Sequence, residues 1–113
     1  MNLNLNKDKI VVIDFGSQVT KLIARRIREH FVLSEVLTLK DFKQKNIFKN
    51  VKGIILSGGP STVTKKSFPK IPNKIFNLNI PVLGICYGLQ LIVKQFKGNV
   101  KSNIKEFKIY FRK

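Results

Sequence analysis

Four short apolar runs, separated by helical or irregular patterns, constrain most what this chain can fold into. They occupy residues 9–14, 33–39, 53–57 and 81–86. Three of the runs are apolar almost throughout, as is typical of parallel strands that are covered on both faces. Residues 33–39 instead alternate apolar with polar side chains, so we expect this strand nearer an edge of the sheet.

The first interval between strands predicts an amphipathic helix. From Ser17 to Glu29, apolar residues recur at the spacing of one helix face, at Val19, Leu22, Ile23 and Ile27. Ser17 is suited to cap this helix, because its hydroxyl can accept a hydrogen bond from an amide of the first turn.

Three further helices are predicted along the chain. Residues 41–48 and 73–77 each suit a short helix, and residues 88–96 form a strongly apolar one. Gly98 and Asn99 would end this last helix, because glycine accepts the left-handed conformation of a helix stop.

This alternating order predicts an α/β fold: an open, mostly parallel sheet with helices on both faces. Residues 58–71, which begin with two glycines, form a long loop beyond the carboxyl end of a predicted strand. Ligands bind at that end of the strands in sheets of this class.

The charge of the chain admits two interpretations. Its formal net charge is +16, with 22 lysines and arginines against six acidic residues, and such an excess can attract nucleic acid or an anionic surface. The lysines are scattered, however, and abundant asparagine and isoleucine indicate a bias toward codons rich in A and T. Since no nucleic-acid motif accompanies the charge, we do not expect a nucleic-acid partner.

Cysteine, histidine and apolar segments limit the classes of protein further. With one cysteine and one histidine, the chain cannot form an internal disulfide, and we expect no metal site. No apolar run approaches the ~20 residues of a membrane span, and residues 1–7 lack the apolar core of a secretory signal. We therefore expect a cytoplasmic location without a membrane partner.

The segment from Gly84 to Gly88 carries the main candidate for chemistry, Cys86. It lies between a predicted strand and a predicted helix, which is the context of a nucleophile elbow. The helix amino end would favour a thiolate, and the amide of Tyr87 would point to a developing oxyanion. Spacing alone leaves open the alternative that Cys86 is a small buried hydrophobic residue.

Two other segments are predicted to lie at the same end of the sheet. Gly58 and Gly59 follow Ser57 in a turn that could expose a second oxyanion amide, although an ordinary glycine turn would look the same. Residues 14–18, of sequence Asp-Phe-Gly-Ser-Gln, form a strand-to-helix turn.

Together these segments resemble the class I glutamine amidotransferases. Residues 55–61 and 81–90 carry the glycine and cysteine motifs of that superfamily. Residues 14–18, with the continuation 22–29, resemble more narrowly the opening of the GMP synthase family. The resemblance extends over about residues 9–106.

The resemblance implies roles for six residues. Cys86 would be the nucleophile that attacks the side-chain amide of glutamine to form a thioester. Gly59 and Tyr87 would supply oxyanion amides. Gly58, Gly88 and Gln90 would complete the oxyanion and glutamine-binding region, without a metal.

The resemblance also implies partners outside these 113 residues. In the whole family enzyme, ammonia passes to a synthetase domain, where ATP adenylylates XMP and ammonia converts it to GMP with magnesium assisting. A homodimer is a further expectation for the full-length enzyme. No cofactor is expected in this chain itself.

A cysteine nucleophile of this family also needs a His-x-Glu segment, which the sequence lacks. His30, predicted to close the first helix, cannot take its place. We therefore expect residues 1–113 to be an amino-terminal part of the amidotransferase domain, incomplete at its carboxyl end. We also expect an exposed apolar sheet edge and no activity in isolation.

Two alternatives to this interpretation remain. One is an amidotransferase-like module whose site a partner chain completes. The other is a basic flavodoxin-like domain that binds nucleic acid and in which Cys86 is only part of the core.

Overall fold

The computed structural model describes residues 7–44, 46–59, 70–96 and 108–111, which form one sheet with helices packed on it. The strands are β1 (Lys9–Ile13), β2 (Leu33–Leu37), β3 (Val51–Leu56), β4 (Val82–Ile85) and β5 (Lys108–Phe111). The α-helices are α1 (Val19–Glu29) and α2 (Tyr87–Gln95), and short 3-10 helices span Leu39–Lys43 and Asn73–Asn77.

The strand order is β2-β1-β3-β4-β5. The first four strands are mutually parallel, whereas β5 is antiparallel to β4. The mostly parallel α/β sheet is therefore confirmed, and the alternating strand β2 lies at an edge as predicted. The backbone of β5 pairs along β4, so β2 and β5 are the outer strands, and the expectation of an exposed apolar edge stays a prediction.

The two faces of the sheet pack against different helices, as predicted. Val11 and Ile13 belong to the same buried cluster as Leu91 and Ile92 of α2. The intervening Val12 points to the opposite face, because side chains alternate along a strand. On that face α1 packs against β1 and β2.

Helix α1 buries only part of the apolar face that the sequence predicted, because Ile23 and Ile27 are half-buried but Val19 and Leu22 are not. Val19 and Leu22 are 51% and 57% exposed, whereas Thr20 and Ala24 are buried, with only 1% of their surface exposed. The hydroxyl of Thr20 is hydrogen-bonded inside the protein, which turns the helix so that this polar residue faces the sheet. The helix also begins at Val19 and not at Ser17, although Ser17 Oγ accepts the amide of Val19 at 3.0 Å, as the capping prediction requires.

The predicted helix over residues 41–48 is also wrong. A 3-10 helix spans Leu39–Lys43 instead. Asp41 Oδ2 accepts the amide of Thr38 at 2.7 Å, which fixes an early start, and the left-handed Asn46 and Asn50 form turns where a helix cannot continue.

The other two predicted helices are present. Residues 73–77 form a 3-10 helix, and α2 begins and ends one residue earlier than predicted. The predicted stop at Gly98 and Asn99 lies outside the described residues. Neither α-helix in the described ranges has the length and apolar character that a bilayer-spanning helix requires.

Candidate active site

Cys86 lies at a strained strand-to-helix turn. It follows β4 directly, is the N-cap residue of α2, and has φ 53° and ψ −114°. A non-glycine residue at positive φ costs about 1–3 kcal/mol, and such strain concentrates at functional sites. The half-buried thiol also stands at the amino end of α2, where the helix dipole favours negative charge. The geometry is that of the predicted nucleophile elbow.

Glycines on both sides of Cys86 allow the elbow to pack tightly. A Cβ added to Gly84 would lie 2.7 Å from Ile92 Cδ1 and 2.8 Å from the amide nitrogen of Leu89. A Cβ added to Gly88 would overlap the carbonyl of Leu56 at the end of β3. Gly88 therefore sets the distance between α2 and β3.

The glycine pair after β3 lies beside the elbow. A Cβ built on Gly58 would be 3.3 Å from the Cβ of Cys86 and 3.8 Å from Ser17 Oγ. Gly59 contacts the backbone carbonyl of Phe15, so closely that a side chain there would overlap it. The structure thus brings together the three segments that the sequence singled out, as far as Gly59. Pro60 and Ser61 lie outside the described residues.

A chain of hydrogen bonds, buried at its Thr20–Ser57 link, underlies this site. Asp14 Oδ1 accepts the amide of Gly16 at 2.7 Å and the hydroxyl of Thr20 at 3.3 Å. Thr20 Oγ1 lies 2.9 Å from Ser57 Oγ, and Ser57 immediately precedes the glycine pair. Sequence reasoning did not assign Thr20 a role. The signal that could have indicated it is the spacing: Thr20 lies four positions before Ala24, so the two small residues share one helix face.

Tyr87 fixes the elbow through its side chain. It is 1% exposed, and its ring meets that of Phe15 edge to face, with centroids 5.0 Å apart. Burial raises the pKa of the Tyr87 phenol to about 12, so the group stays neutral at physiological pH. The backbone amide of Tyr87 is the first of α2.

Gln90 and His30 occupy opposite ends of the sheet. Gln90 is half-buried at the end of the first turn of α2, and its backbone amide donates to the carbonyl of Cys86 at 3.2 Å. His30 ends α1 and is exposed. Since α1 runs back from the carboxyl end of β1 over 11 residues, His30 is about 16 Å from the end of the sheet that carries Cys86.

No group of three or more histidine, cysteine, aspartate or glutamate side chains suited to a metal ion occurs in the described part of the chain. The functional groups around Cys86 are a thiol, backbone amides and hydroxyl groups.

The fold, the elbow and the adjoining glycine pair define a class of protein. Residues 11–110 match the family Glutamine amidotransferase class-I. The chain belongs to this family.

Its relatives narrow the class to GMP synthases. The chain is 50% identical over 105 residues to GMP synthase [glutamine-hydrolyzing] of Crocosphaera subtropica, covering 93% of this chain and 19% of the relative. It is 54% identical over 97 residues to the same enzyme of Prochlorococcus marinus, covering 86% and 18%. The chain thus spans about a fifth of the length of these curated relatives.

A solved structure of similar sequence has the same fold. The crystal structure of a GMP synthase subunit from Thermoplasma acidophilum superposes with a TM-score of 0.65 at 30% identity. The match covers 88% of this chain and 51% of that one. The resemblance to the GMP synthase type of amidotransferase is confirmed.

Proposed function

We propose that this chain carries the nucleophile and oxyanion side of a glutaminase site that supplies ammonia for the synthesis of GMP. The observation that carries the proposal is the contact between Gly58 and Cys86. A glycine turn from β3 and a strained cysteine from β4 meet at the carboxyl end of adjacent strands. This places the candidate nucleophile beside the glycine backbone.

In the proposed reaction, the Cys86 thiolate attacks the side-chain carbonyl carbon of glutamine. The new C–S bond leaves negative charge on the carbonyl oxygen, which the amides of Gly59 and Tyr87 stabilise. The C–N bond then breaks, and ammonia leaves with one added proton. Water attacks the resulting thioester, and glutamate and the thiol are released.

Gln90 and the remaining glycines have supporting roles in this proposal. The half-buried Gln90 lies on the first turn of α2 and borders the space in which glutamine would bind. Gly58 and Gly88 keep that space clear and hold α2 against β3, because a side chain at either would press on its neighbour.

The proton transfers require a base that these 113 residues do not contain. No His-x-Glu segment occurs in the sequence, and its single histidine, His30, stands at the wrong end of α1. We therefore propose that the isolated chain reacts with glutamine analogues but does not turn over glutamine. Within a full-length enzyme, ATP, magnesium and XMP would belong to a synthetase domain outside these residues.

Alkylation of Cys86 tests the proposal on the chain itself. The reagent is a chloromethyl ketone that carries the α-amino and α-carboxylate groups of glutamine, and chloroacetone is the matched reagent without them. Rates are measured by intact-mass spectrometry on native protein and on protein unfolded in urea. We expect the native chain to prefer the amino-acid reagent about tenfold, with protection by L-glutamine and no labelling of Cys86→Ala.

Two results would contradict the proposal. A native chain whose preference equals that of the unfolded chain has no glutamine site. Steady release of ammonia from glutamine that is lost in Cys86→Ala would show that the isolated chain is a complete enzyme, against the proposed need for an external base.

A further inference from the structure

We propose that Thr20 is a positioning residue for the oxyanion loop. Through Ser57, its hydroxyl holds the Gly58–Gly59 backbone at the distance from Cys86 that transition-state stabilisation requires. The inference rests on the proposed glutaminase function and assigns a role to a residue outside the motifs that suggested it.

The hydroxyls of Thr20 and Ser57 are enclosed and paired. Thr20 is 1% exposed and Ser57 is 0% exposed, and their oxygen atoms lie 2.9 Å apart. The residues come from different elements, the first turn of α1 and the end of β3. Because unpaired buried hydroxyls are unfavourable, this pair fixes α1 and β3 relative to each other.

The donor and acceptor of each hydrogen bond follow from the carboxylate at one end of the chain. A carboxylate can only accept, so Thr20 donates its single proton to Asp14 Oδ1 at 3.3 Å. Thr20 Oγ1 must then accept the proton of Ser57. The Ser57 amide donates in turn to the carbonyl of Ile13 at 3.1 Å, so the hydroxyl of Ser57 is tied to α1 and its amide to the end of β1.

The residues after Ser57 depend on such ties for their orientation. Glycine has more backbone freedom than any other residue, so neighbouring contacts must set the directions of the Gly58 and Gly59 amides. The Phe15 carbonyl bounds Gly59 on one side, and Cys86 bounds Gly58 on the other. The hydroxyl pair supplies the fixed point from which this segment starts.

The test compares two reagents that react with the same sulfur. The amino-acid chloromethyl ketone has a carbonyl oxygen that gains charge when the thiolate adds, and it therefore uses the oxyanion amides. Iodoacetamide reacts by displacement at its methylene carbon and needs no such stabilisation. The ratio of the two rate constants reports on the oxyanion loop when the preference for the amino-acid reagent over chloroacetone, which measures glutamine recognition, is unchanged. Access to the thiol and overall stability affect both rates.

Thr20→Val keeps the shape of the side chain and removes the hydroxyl, and Thr20→Ser keeps the hydroxyl. The matched control is Ser34→Ala, since the Ser34 hydroxyl also anchors α1, at the carbonyl of Ala24 (2.8 Å), but belongs to edge strand β2. We expect Thr20→Val to lower the chloromethyl ketone rate about tenfold while the iodoacetamide rate stays within about twofold. Thr20→Ser should restore the ratio, and Ser34→Ala should leave it unchanged.

The inference is overturned if the ratio in Thr20→Val equals that of the wild type, or if both rates change in parallel. In either case the proposed function still stands on the preference of the wild-type chain for the amino-acid reagent over chloroacetone. If the wild type lacks that preference, the proposed function fails, and the role of Thr20 fails with it.

Discussion

Gly88, in the first turn of α2, lies directly against the backbone carbonyl of Leu56 at the end of β3. This contact presses the cysteine elbow onto the neighbouring strand. The contact also brings Cys86 beside Gly58 and Gly59, because Cys86 follows β4, the glycine pair follows β3, and these parallel strands are neighbours.

Gly88→Ala should disrupt this arrangement. The added methyl would overlap backbone, which cannot move aside as a side chain can, so we expect a loss of about 3 kcal/mol in the free energy of unfolding. Gly53→Ala is the control, because its methyl would meet only Ile10 Cδ1 at 2.9 Å, and should cost about 1 kcal/mol. Urea unfolding measures both, and equal losses would refute the close contact.

The strain at Cys86 predicts a gain in stability when the side chain is removed altogether. At φ 53°, glycine avoids a penalty that both cysteine and alanine incur. We expect Cys86→Gly to be about 1 kcal/mol more stable than Cys86→Ala. An alanine variant more stable than the glycine variant in urea unfolding would show that the elbow is unstrained.

Tyr87 predicts a loss of stability at alkaline pH. Burial raises its pKa from 10.0 to about 12, so above pH 10 the unfolded chain gives up a proton that the folded chain retains. The stabilisation is complete below pH 10 and declines until pH 12. Between pH 8 and 11 the wild type should lose about 1 kcal/mol more than Tyr87→Phe. Equal losses in the two proteins would show that Tyr87 titrates normally.

Gln95 joins α2 to the segment that contains Ile71 and Asn73. Its side chain accepts the Ile71 amide at 3.3 Å and donates to the Ile71 carbonyl at 3.1 Å and to Asn73 Oδ1 at 2.7 Å. Gln95→Met has a similar shape and none of these bonds, so we expect a loss of about 2 kcal/mol. The exposed neighbour provides the control Lys94→Gln, which should change stability by less than about 0.5 kcal/mol. Indistinguishable unfolding curves for the two variants would contradict the structural role of Gln95.

Local patterns were sufficient for the first four strands and singled out Cys86 as a candidate nucleophile. The β-branched runs predicted β1 and β3, and alternation in β2 predicted its edge position. Both predictions work because the apolar pattern along a strand depends on which of its faces are buried. The Gly-x-Cys-x-Gly spacing between a predicted strand and a predicted helix suggested an elbow at Cys86, although spacing alone left a buried hydrophobic cysteine as the alternative.

What sequence reasoning missed depends on contacts between distant residues. It assigned Val19 and Leu22 to the apolar face of α1, but both are exposed, and the 2.9 Å bond between Thr20 and Ser57 joins residues 37 positions apart on the buried face instead. The pairing of β5 with β4 is likewise a relation between two segments, invisible in either one alone.

The sequence by itself determined the class of fold, the family and the residues at the carboxyl edge of the sheet. Only the tertiary structure decided which side of α1 is buried and that Gly58 meets Cys86. The physical reason is that periodicity records each segment's own need for burial, whereas hydrogen bonds and close backbone contacts exist only once separate segments have packed together.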